Sequence, residues 1–530
     1  MDRRRIATAT LVIMTGTLVA SFLGFVRAVV VAAVFGHTGS TDAFVAALVV
    51  PQMFYDQLIG GAIAAVLIPT FSLLATEDLD TLWRVVRAVF LLVGTVMLTV
   101  VALLEIAAHP LMSALASGFV GRGHGTLDLS VTLVRLLLPA LLFMGLSAVV
   151  LATLYSLQRR AASAFAPACF HLGIIGAALV GAGRFGIEAL SVGAVIGAAS
   201  QLLVQLPALF RAIRGHVTHS PPLRVIVHDA FAHPVVRRIL RLYVPVALGL
   251  VVSMAGQVAD VNFKSHLPQA GDLTVMQYAT QLIQFPVGIV VAALGFAVLP
   301  SISVDAAANR LEQFKDTLAL GIRLVFVLMI PAAVGFLVLA TPIVTLILQH
   351  HLFNHQGTVR TVTALLGYAP QLPFIGVDQL MIVAFYARHN TLTPALVGVL
   401  GVAVYVTSAA LLLGPHGILG LAIANTIQIA THTVVLAYLL RRAIGSLTGR
   451  GLTATLLKVL VASACMAAVI GAVDRWISPA GSGLAARLLA VALPGAAALA
   501  VYGAMVLLLR VEELTLAYGL VARRLAPTPK

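Results

Sequence analysis

The chain has 530 residues, of which 60% are hydrophobic and 10% are charged, and its mean hydropathy is +1.05. This composition excludes a soluble globular protein with a polar surface and indicates an all-α polytopic membrane protein. A net charge of +14 is also typical of nucleic-acid-binding proteins. Here the basic residues lie at the ends of apolar segments rather than in one basic domain, so no nucleic-acid partner is predicted.

Apolar segments long enough to cross a bilayer as helices recur along the chain, since about 20 residues span its hydrocarbon core. The first segment follows three arginines at positions 3–5, as in a signal peptide. It is far longer than the apolar part of a cleaved signal, so it is predicted to be a membrane span. We predict fourteen spans, at residues 6–35, 43–74, 83–108, 129–155, 164–182, 187–210, 239–263, 273–300, 317–340, 360–387, 392–413, 417–440, 453–473 and 484–509.

The distribution of Lys and Arg predicts the orientation of these spans. The great majority of the 33 basic residues lie at the ends that share a side with the N-terminus. Because cytoplasmic loops of membrane proteins are enriched in Lys and Arg, both termini are predicted to be cytoplasmic. The loops on the opposite side hold Arg122, Arg184, Lys264, Arg360, Arg475 and Arg487.

The sequence contains an internal repeat at a spacing of 231 residues. The fourth and tenth spans carry a proline, a phenylalanine, a glycine and a tyrosine at equal offsets, as Pro139, Phe143, Gly145 and Tyr155, and as Pro370, Phe374, Gly376 and Tyr386. The Gly-Ile pairs at 186–187 and 417–418 have the same separation. Transporters built from parallel repeats bind their substrate between the two halves.

Four regions are therefore predicted along the chain. Residues 1–213 form an N-terminal lobe of six spans, and residues 239–442 form a second lobe of six spans. Between them, residues 214–238 form a basic cytoplasmic linker, which is predicted to set the topology and to contact lipid headgroups. Residues 443–530 contain two additional spans and a cytoplasmic tail.

Polar residues in the first two spans are the strongest candidates for function. An ionised side chain at membrane depth is costly and usually faces a cavity or a partner. Arg27 lies about 12 Å inside the outer end of the first span, because a helix rises about 1.5 Å per residue. Its guanidinium either reaches back to the interface or forms a fixed fork for a phosphate or pyrophosphate. Asp42 either pairs with Arg27 or caps the second span.

Three further charged sites lie in later spans. Asp260 and Lys264 are one helical turn apart near the outer end of the seventh span, which is compatible with a local ion pair or with a cation or headgroup contact. Arg135 and Asp378 occupy the repeat-related fourth and tenth spans. Either side chain could face a central cavity, because the sequence does not fix the rotation of these helices.

The chain lacks the residue constellations of an enzyme. It has no GxxxxGK[ST] phosphate-binding loop and no HExxH motif, and its acidic residues within spans are scattered, so no catalytic residue is predicted. His350, His351 and His355 have no Cys or acidic residue nearby to complete a zinc site, so no metal is predicted. Cys169 and Cys465 lie inside apolar segments and do not indicate a disulfide framework.

Several segments resemble those of one transporter family, the most specific being the FYARHNTLTP motif and the spacing from LGFVR to TDAF. The matching segments are LGFVR at 23–27, TDAF at 41–44, GAIAAVLIPTFS at 61–72, SAFAP at 163–167, YATQLIQFPVG at 278–288, LPSIS at 299–303, FYARHNTLTP at 385–394 and GILGLAIA at 417–424. On these residues the chain resembles the MurJ (MviN) lipid II flippases. These belong to the multidrug/oligosaccharidyl-lipid/polysaccharide exporter superfamily.

This resemblance implies two six-helix lobes and two C-terminal helices that help form a groove for a polyprenyl tail. It implies movement of an undecaprenyl-pyrophosphate-linked peptidoglycan precursor, lipid II, from the inner to the outer leaflet of the bacterial plasma membrane by alternating access. Arg27 matches a cavity arginine that binds pyrophosphate, and Asp42 matches the acid of the second span. The implied partners are the lipid-linked saccharide, membrane lipids and the cell-wall synthesis machinery, and a monomer is expected.

The chain departs from the family pattern at several positions. Tyr55 and Asp56 stand where the family commonly has a pair of arginines, and Gly60 stands where a glutamate follows. Gln281 occupies the position of the eighth-span arginine. Asn390 replaces the usual aspartate of the cytoplasmic motif. Two of the three cavity arginines of the family are thus absent.

These departures leave other functions open. The alternatives are a flippase for another lipid-linked oligosaccharide, a drug/cation antiporter and a membrane scaffold that does not transport. Lys264 or Arg135 is hypothesised to compensate for the missing arginines. Together with Asp56 and Gln281, they are secondary candidates for substrate binding.

The driving force is predicted to be Na⁺ or the membrane potential, with no bound cofactor. Some members of the family are thought to hold Na⁺ with polar groups of the seventh, eleventh and twelfth spans. Asp260 and Thr426 are the matching candidates, whereas Tyr405 stands where an Asn is common. The potential alone contributes about 2.3 kcal/mol per charge per 100 mV.

Overall fold

The computed structural model describes residues 3–57, 66–121, 125–159, 161–213, 222–476 and 483–511, and the regular structure within these ranges is entirely helical, which confirms the all-α class. The α-helices are α1 (Arg3–Phe35), α2 (Gly39–Gln57), α3 (Ile68–Glu77), α4 (Leu79–Ile106), α5 (Ala108–Leu115), α6 (Thr126–Leu137), α7 (Pro139–Ser156), α8 (Ala161–Phe185), α9 (Glu188–Ile213), α10 (Leu223–Ala232), α11 (Pro234–Ser265), α12 (Asp272–Ala297), α13 (Leu299–Ala307), α14 (Leu311–Leu348), α15 (His355–Tyr368), α16 (Leu372–Ala387), α17 (Leu392–Ile444), α18 (Leu452–Trp476) and α19 (Leu484–Leu508). Short 3₁₀-helices lie at Ser117–Phe119 and Ala369–Gln371. Gly60, Arg122, linker residues 214–221 and the C-terminal tail lie outside the described residues.

Nine helical segments within the described ranges are long and apolar enough to cross a membrane. Two of them combine elements: Thr126–Ser156 joins α6 and α7, and Leu392–Ile444 covers the predicted eleventh and twelfth spans. The chain is therefore a polytopic helical protein, whereas the number of fourteen spans stays a prediction.

The residues group into two compact units. The first comprises Met1–Thr274 with His351–Phe353, and the second comprises Val275–His350 with Asn354–Lys530. The core of the first unit contains fully buried apolar side chains from α2, α6, α7 and α9, among them Phe44, Leu133, Leu137, Leu141 and Leu190. The limits of the four predicted regions stay predictions.

The local structure confirms the internal repeat. Gly145 on α7 packs against Val93 and Met97 of α4, and Gly376 on α16 packs against Val325 and Met329 of α14. The glycines that precede the repeated isoleucines also have the same backbone form, with φ of 57° at Gly186 and 53° at Gly417. Only glycine adopts this region at little cost. The repeat in the sequence is therefore a repeat of packing and of turns.

The predicted basic linker contains α10, which packs against α4 in the first unit. The Arg84 guanidinium donates to the Asp229 carboxylate at 3.2 Å, and the Asp229 side chain is only 7% exposed. His233 accepts a hydrogen bond from the Val235 amide at the start of α11. The described part of the linker is thus a packed helix rather than an extended connection.

Helices α1 and α8 approach closely through glycines. Gly16 lies directly against the backbone of Ala164, so that a Cβ there would overlap the Ala164 carbonyl. About two turns further along, a Cβ on Gly24 would lie 3.3 Å from Nε2 of His171. Small residues at such contacts allow membrane helices to pack backbone against backbone.

The contact between α8 and α9 gives a stability prediction. Gly173 lies against the backbone of Gly193 and Gly197, so Gly173→Ala is expected to lower the free energy of unfolding by about 1–3 kcal/mol through overpacking. Gly176→Ala is the matched control, because a Cβ at Gly176 on the same helix meets nothing within 4 Å. Thermal unfolding in detergent measures both variants. Equal melting temperatures would contradict the close contact.

Helix α17 is a hairpin of two helical arms. Its backbone leaves the helical region at Gly417, where φ is 53° and ψ is −124°. Gly420 lies against the Leu412 carbonyl, and Gly401 lies beside Gln428 on the other arm. The two arms therefore run antiparallel, as the predicted eleventh and twelfth spans require.

The two additional C-terminal helices, α18 and α19, pack against α14 in the second unit. The Tyr502 hydroxyl on α19 donates to the Val327 carbonyl on α14 at 2.7 Å. Their shared core contains Val327, Ile330, Leu339, Val459, Ala462, Met466, Ile470, Ala498, Tyr502, Val506 and Val511.

Candidate functional site

Arg27 lies on the face of α1 that meets α8. The α1 positions 17, 21, 24 and 27 recur at three- and four-residue spacing, so they share one side of the helix. Gly24 on this side lies against His171 of α8, and Arg27 lies near the same imidazole. Arg27 is only 7% exposed. Its guanidinium is therefore held within the first unit rather than extended into solvent.

A cavity of about 440 Å³ lies beside the same face of α1. This volume is in the range of small-molecule binding sites. Its wall carries hydroxyl groups and one imidazole among apolar side chains, so it can hydrogen-bond to a polar ligand. The lining residues are Thr17, Ala20, Ser21, Ile68, Leu151, Tyr155, Ser163, Ala164, Pro167 and His171.

A buried hydrogen-bond network continues from this wall into α9. Ser163, which lines the cavity, donates to Oε1 of Gln205 at 3.1 Å, and Nε2 of Gln205 donates to the Ser147 hydroxyl. Nε2 of Gln201 donates to the Tyr55 hydroxyl at 3.0 Å. Because buried amides are costly unless they are hydrogen-bonded, this network fixes the side chains of α2, α7, α8 and α9 around the cavity.

Gln201 and Gln205 were not predicted from the sequence to be part of a site. The two residues are four apart in an otherwise apolar helix, and both are at most 1% exposed. This i,i+4 spacing of glutamines places both amides on one buried face, and it is the signal that could have indicated the network.

Asp42 is fully buried at the start of α2 and binds the loop that precedes α12. Its carboxylate accepts hydrogen bonds from the Gly271 amide at 2.7 Å, the Thr274 amide at 2.9 Å and the Thr274 hydroxyl at 2.7 Å. The N-terminus of α2 is capped instead by Thr38 and Thr41, whose hydroxyls bind each other's amides. Asp42 thus joins two segments of the first unit.

A glycine allows the loop that binds Asp42 to pack closely against the backbone at His37. Gly271 has φ of 86° and lies against the backbone carbonyl of His37, so a side chain at this position would be strained and would clash. Its amide is thereby brought to the Asp42 carboxylate.

Among the other candidates of the first unit, Asp56 and Arg135 are exposed and Lys264 is buried. Asp56 is exposed at the end of α2, beside Tyr55, whose hydroxyl accepts the hydrogen bond from Gln201. Nζ of Lys264 lies 2.6 Å from Oδ2 of Asp260, which is the i,i+4 ion pair that their spacing predicts. The Arg135 side chain is 52% exposed and lies 3.9 Å from the Glu105 carboxylate. Each of the charges at Lys264 and Arg135 therefore has an acidic neighbour.

In the second unit, Gln281 on α12 is partly buried. The Thr426 hydroxyl on α17 donates to the Gly367 carbonyl at 2.7 Å. Asn390 accepts a hydrogen bond from the Thr393 amide at the beginning of α17, so its side chain has a capping role there. The roles of Gln281 and Thr426 in binding or coupling stay predictions. Within the described residues, no group of three or more His, Cys, Asp or Glu side chains is placed to hold a metal ion.

A family model described as lipid II flippase MurJ matches residues 31–486, which is most of the chain. The chain belongs to the lipid II flippase MurJ family. It is accordingly a multi-pass membrane protein of a transporter family.

Curated members of the MurJ family are similar along most of their length. The lipid II flippase MurJ of Burkholderia cenocepacia is 28% identical over 400 residues, which cover 74% of this chain and 75% of that protein. The probable lipid II flippase MurJ of Treponema pallidum is 26% identical over 438 residues, covering 81% and 80%.

Solved structures show the same fold. A lipid II flippase MurJ in an inward closed conformation matches with a TM-score of 0.77 at 20% identity, covering 94% of this chain and 99% of that chain. An inward-facing multidrug resistance transporter of the MATE family and MOP superfamily matches with a TM-score of 0.67 at 13% identity, covering 83% and 98%. The MurJ fold is thus common to this chain and to more distant exporters.

Tyr55 and Asp56, where the sequence is expected to depart from the family pattern, lie at the end of α2. Arg27 keeps the resemblance at a buried position near His171, which lines the cavity. Tyr55, in place of a family arginine, is bonded to Gln201 instead of presenting a charge. The end of α2 is therefore expected to carry fewer positively charged side chains than the resemblance to the family implies.

Proposed function

We propose that the chain is a flippase that moves lipid II, an undecaprenyl-pyrophosphate-linked peptidoglycan precursor, from the inner to the outer leaflet by alternating access. The observation that carries this proposal is the match of the MurJ family model to residues 31–486. Membership of a transporter family also favours transport over catalysis.

Arg27 is the proposed anchor for the pyrophosphate. A guanidinium binds phosphate oxygens bidentately, and it does so more strongly where water is largely excluded. Burial of Arg27 and the hydroxyl-lined cavity along the same face of α1 support this role. We further propose that both termini are cytoplasmic and that the protein works as a monomer alongside the cell-wall synthesis machinery.

Complementation tests lipid II as the substrate. A bacterium depleted of its essential MurJ is made to express this chain, and lipid II reaching the outer leaflet is measured. Restored export supports the proposal. Failure to restore export, with normal amounts of the protein in the membrane, would exclude lipid II as the substrate.

A flippase for a different lipid-linked oligosaccharide is the second candidate. It is favoured by Tyr55, which is hydrogen-bonded to Gln201, and by the exposed Asp56, because the resemblance places two arginines of the family at these positions. A headgroup with fewer negative charges would need fewer cations. Mass spectrometry of lipids that co-purify with the protein distinguishes this candidate, because it identifies the attached glycan directly.

A further inference from the structure

A buried carboxylate and an imidazole are in direct contact in the second unit. Oδ1 of Asp378 on α16 lies 2.6 Å from Nδ1 of His432 on α17. Their side chains are only 11% and 14% exposed, respectively. Both lie within helices of the membrane protein, where an unpaired charge is costly.

The surroundings of the pair hold both side chains in place. The Thr433 hydroxyl lies 3.4 Å from Oδ1 of Asp378 and 3.1 Å from the Phe374 carbonyl, and its nearest acceptor is the Ile429 carbonyl at 2.8 Å. Nδ1 of His432 is thus within hydrogen-bonding distance of a carboxylate oxygen, so a proton on either group completes a hydrogen bond between them.

The other arm of α17 leaves room for the imidazole at Gly401. A Cβ on Gly401 would lie 3.7 Å from Cδ2 of His432. His432 therefore touches both α16 and the first arm of α17. A change in its charge acts on the packing of three helical segments.

One proton decides the net charge of this pair. With an imidazolium, Asp378 and His432 form an ion pair with no net charge. Without that proton, the pair carries one buried negative charge, and a buried ion without its partner is strongly unfavourable. The pair can therefore hold a proton at membrane depth and release it when its surroundings change.

The other charged groups of the neighbouring helices are engaged elsewhere. In the described residues, the charged or titratable side chains on the elements packed against the pair and on its own helices are Asp305, Glu312, Lys315, Asp316, Arg323, His355, Arg360, Tyr368, Tyr386, Tyr405, His416, Tyr438, Arg441 and Arg442. Asp305 accepts from Thr317, the two acids of α14 accept from Arg450, and Lys315 binds Glu312. Arg323 lies beside Gly451.

His416 and Arg441, on the same helix as His432, lie at some distance from the pair, whereas Tyr405 lies one turn from Gly401 on the first arm of α17. His416 is at the turn of α17, sixteen residues from His432 in sequence, and Arg441 is nine residues beyond His432 near the end of the same helix. At about 1.5 Å per residue, these separations are about 24 Å and about 14 Å.

We propose that Asp378 and His432 form a proton-binding site in the second unit, and that this proton exchanges during the transport cycle. The second part rests on the proposed flippase function. In an exchange cycle the proton moves inward while the lipid moves outward. A lower pH on the outer side then favours flipping.

Proton binding is tested on the purified full-length protein without substrate, by NMR of ¹⁵N-labelled histidine between about pH 4 and pH 10. The signal of His432 is the one missing in His432→Gln. It is expected to titrate, and Asp378→Asn is expected to reduce its proton affinity at least tenfold, whereas Asp378→Glu retains more of it. His416→Gln, an exposed histidine of the same helix, is the matched control.

Three results would overturn the site. The His432 signal could stay neutral at every pH, it could stay fully protonated at every pH, or it could titrate unchanged in Asp378→Asn. If a single variant does not fold, the double variant Asp378→Asn with His432→Gln removes both charges together and leaves no unpaired buried ion. The double variant should fold and lack the titration.

Flipping of lipid II in proteoliposomes tests the coupling. Acidifying the outer side is expected to increase the flipping rate several-fold in the wild-type protein and in His416→Gln, but not in Asp378→Asn or His432→Gln. Wild-type flipping that ignores the pH gradient would overturn the coupling and leave the flippase function intact. Absence of any lipid II flipping would instead contradict the proposed function, and the NMR titration would then decide on the proton site.

Discussion

Arg27→Ala is expected to reduce flipping of the lipid-linked substrate by about 100-fold. Removing one member of a buried, hydrogen-bonded charge pair typically costs about 2–5 kcal/mol, and each 1.4 kcal/mol corresponds to about a factor of ten. Arg27→Lys keeps the charge but loses the planar fork, so an intermediate loss is expected. Flipping is measured by the appearance of lipid II at the outer leaflet in cells or proteoliposomes.

The matched control for Arg27 is Arg184→Ala. Arg184 is exposed near the end of α8, with its guanidinium 5.8 Å from the centre of the Phe185 ring. This variant removes one arginine from the same unit without affecting the cavity. Wild-type flipping by a well-expressed Arg27→Ala protein would rule out Arg27 as the pyrophosphate anchor.

Asp42→Asn is expected to lower the free energy of unfolding by about 3 kcal/mol. The carboxylate accepts three hydrogen bonds from Gly271 and Thr274, and hydrogen bonds to charged groups contribute about 1.5–3 kcal/mol each. An amide can still accept through one oxygen, but its NH₂ group would face a backbone N–H. Thermal unfolding in detergent measures the loss.

Two further variants serve as comparisons for Asp42→Asn. Thr274→Val removes only the hydroxyl donor and should cost about 1 kcal/mol. Glu77→Gln neutralises an exposed acid at the end of α3 and should leave the melting temperature unchanged. If Asp42→Asn unfolds like the wild type yet binds substrate weakly, the structural role of Asp42 is refuted and its predicted role in substrate binding is favoured.

The helical class and the internal repeat were predictable from the sequence, because both follow from apolar segment length and from residue spacing. Gly186 and Gly417 illustrate this. Both have positive φ, a backbone conformation that favours glycine, so the repeated turn appears in the sequence as a repeated glycine. The i,i+4 pair of Asp260 and Lys264 was predictable for a similar reason, since its geometry is local to one helix.

The partners of isolated polar residues were not predictable. Asp42 contacts residues more than 200 positions away, and the contact of Asp378 with His432 depends on how α17 folds back on itself. Such contacts depend on the rotation and register of packed helices. In uniformly apolar helices, periodicity alone does not reveal which face is turned toward a neighbour.

The single glycine that links the two arms of α17 bears on how the protein is made. The arms are joined at Gly417 without a longer loop, so no water-soluble segment separates them. Each arm has about 25 residues and is long enough to cross the bilayer, and the tight turn keeps the two arms side by side. Residues 392–444 are therefore expected to enter the bilayer as one insertion unit during synthesis.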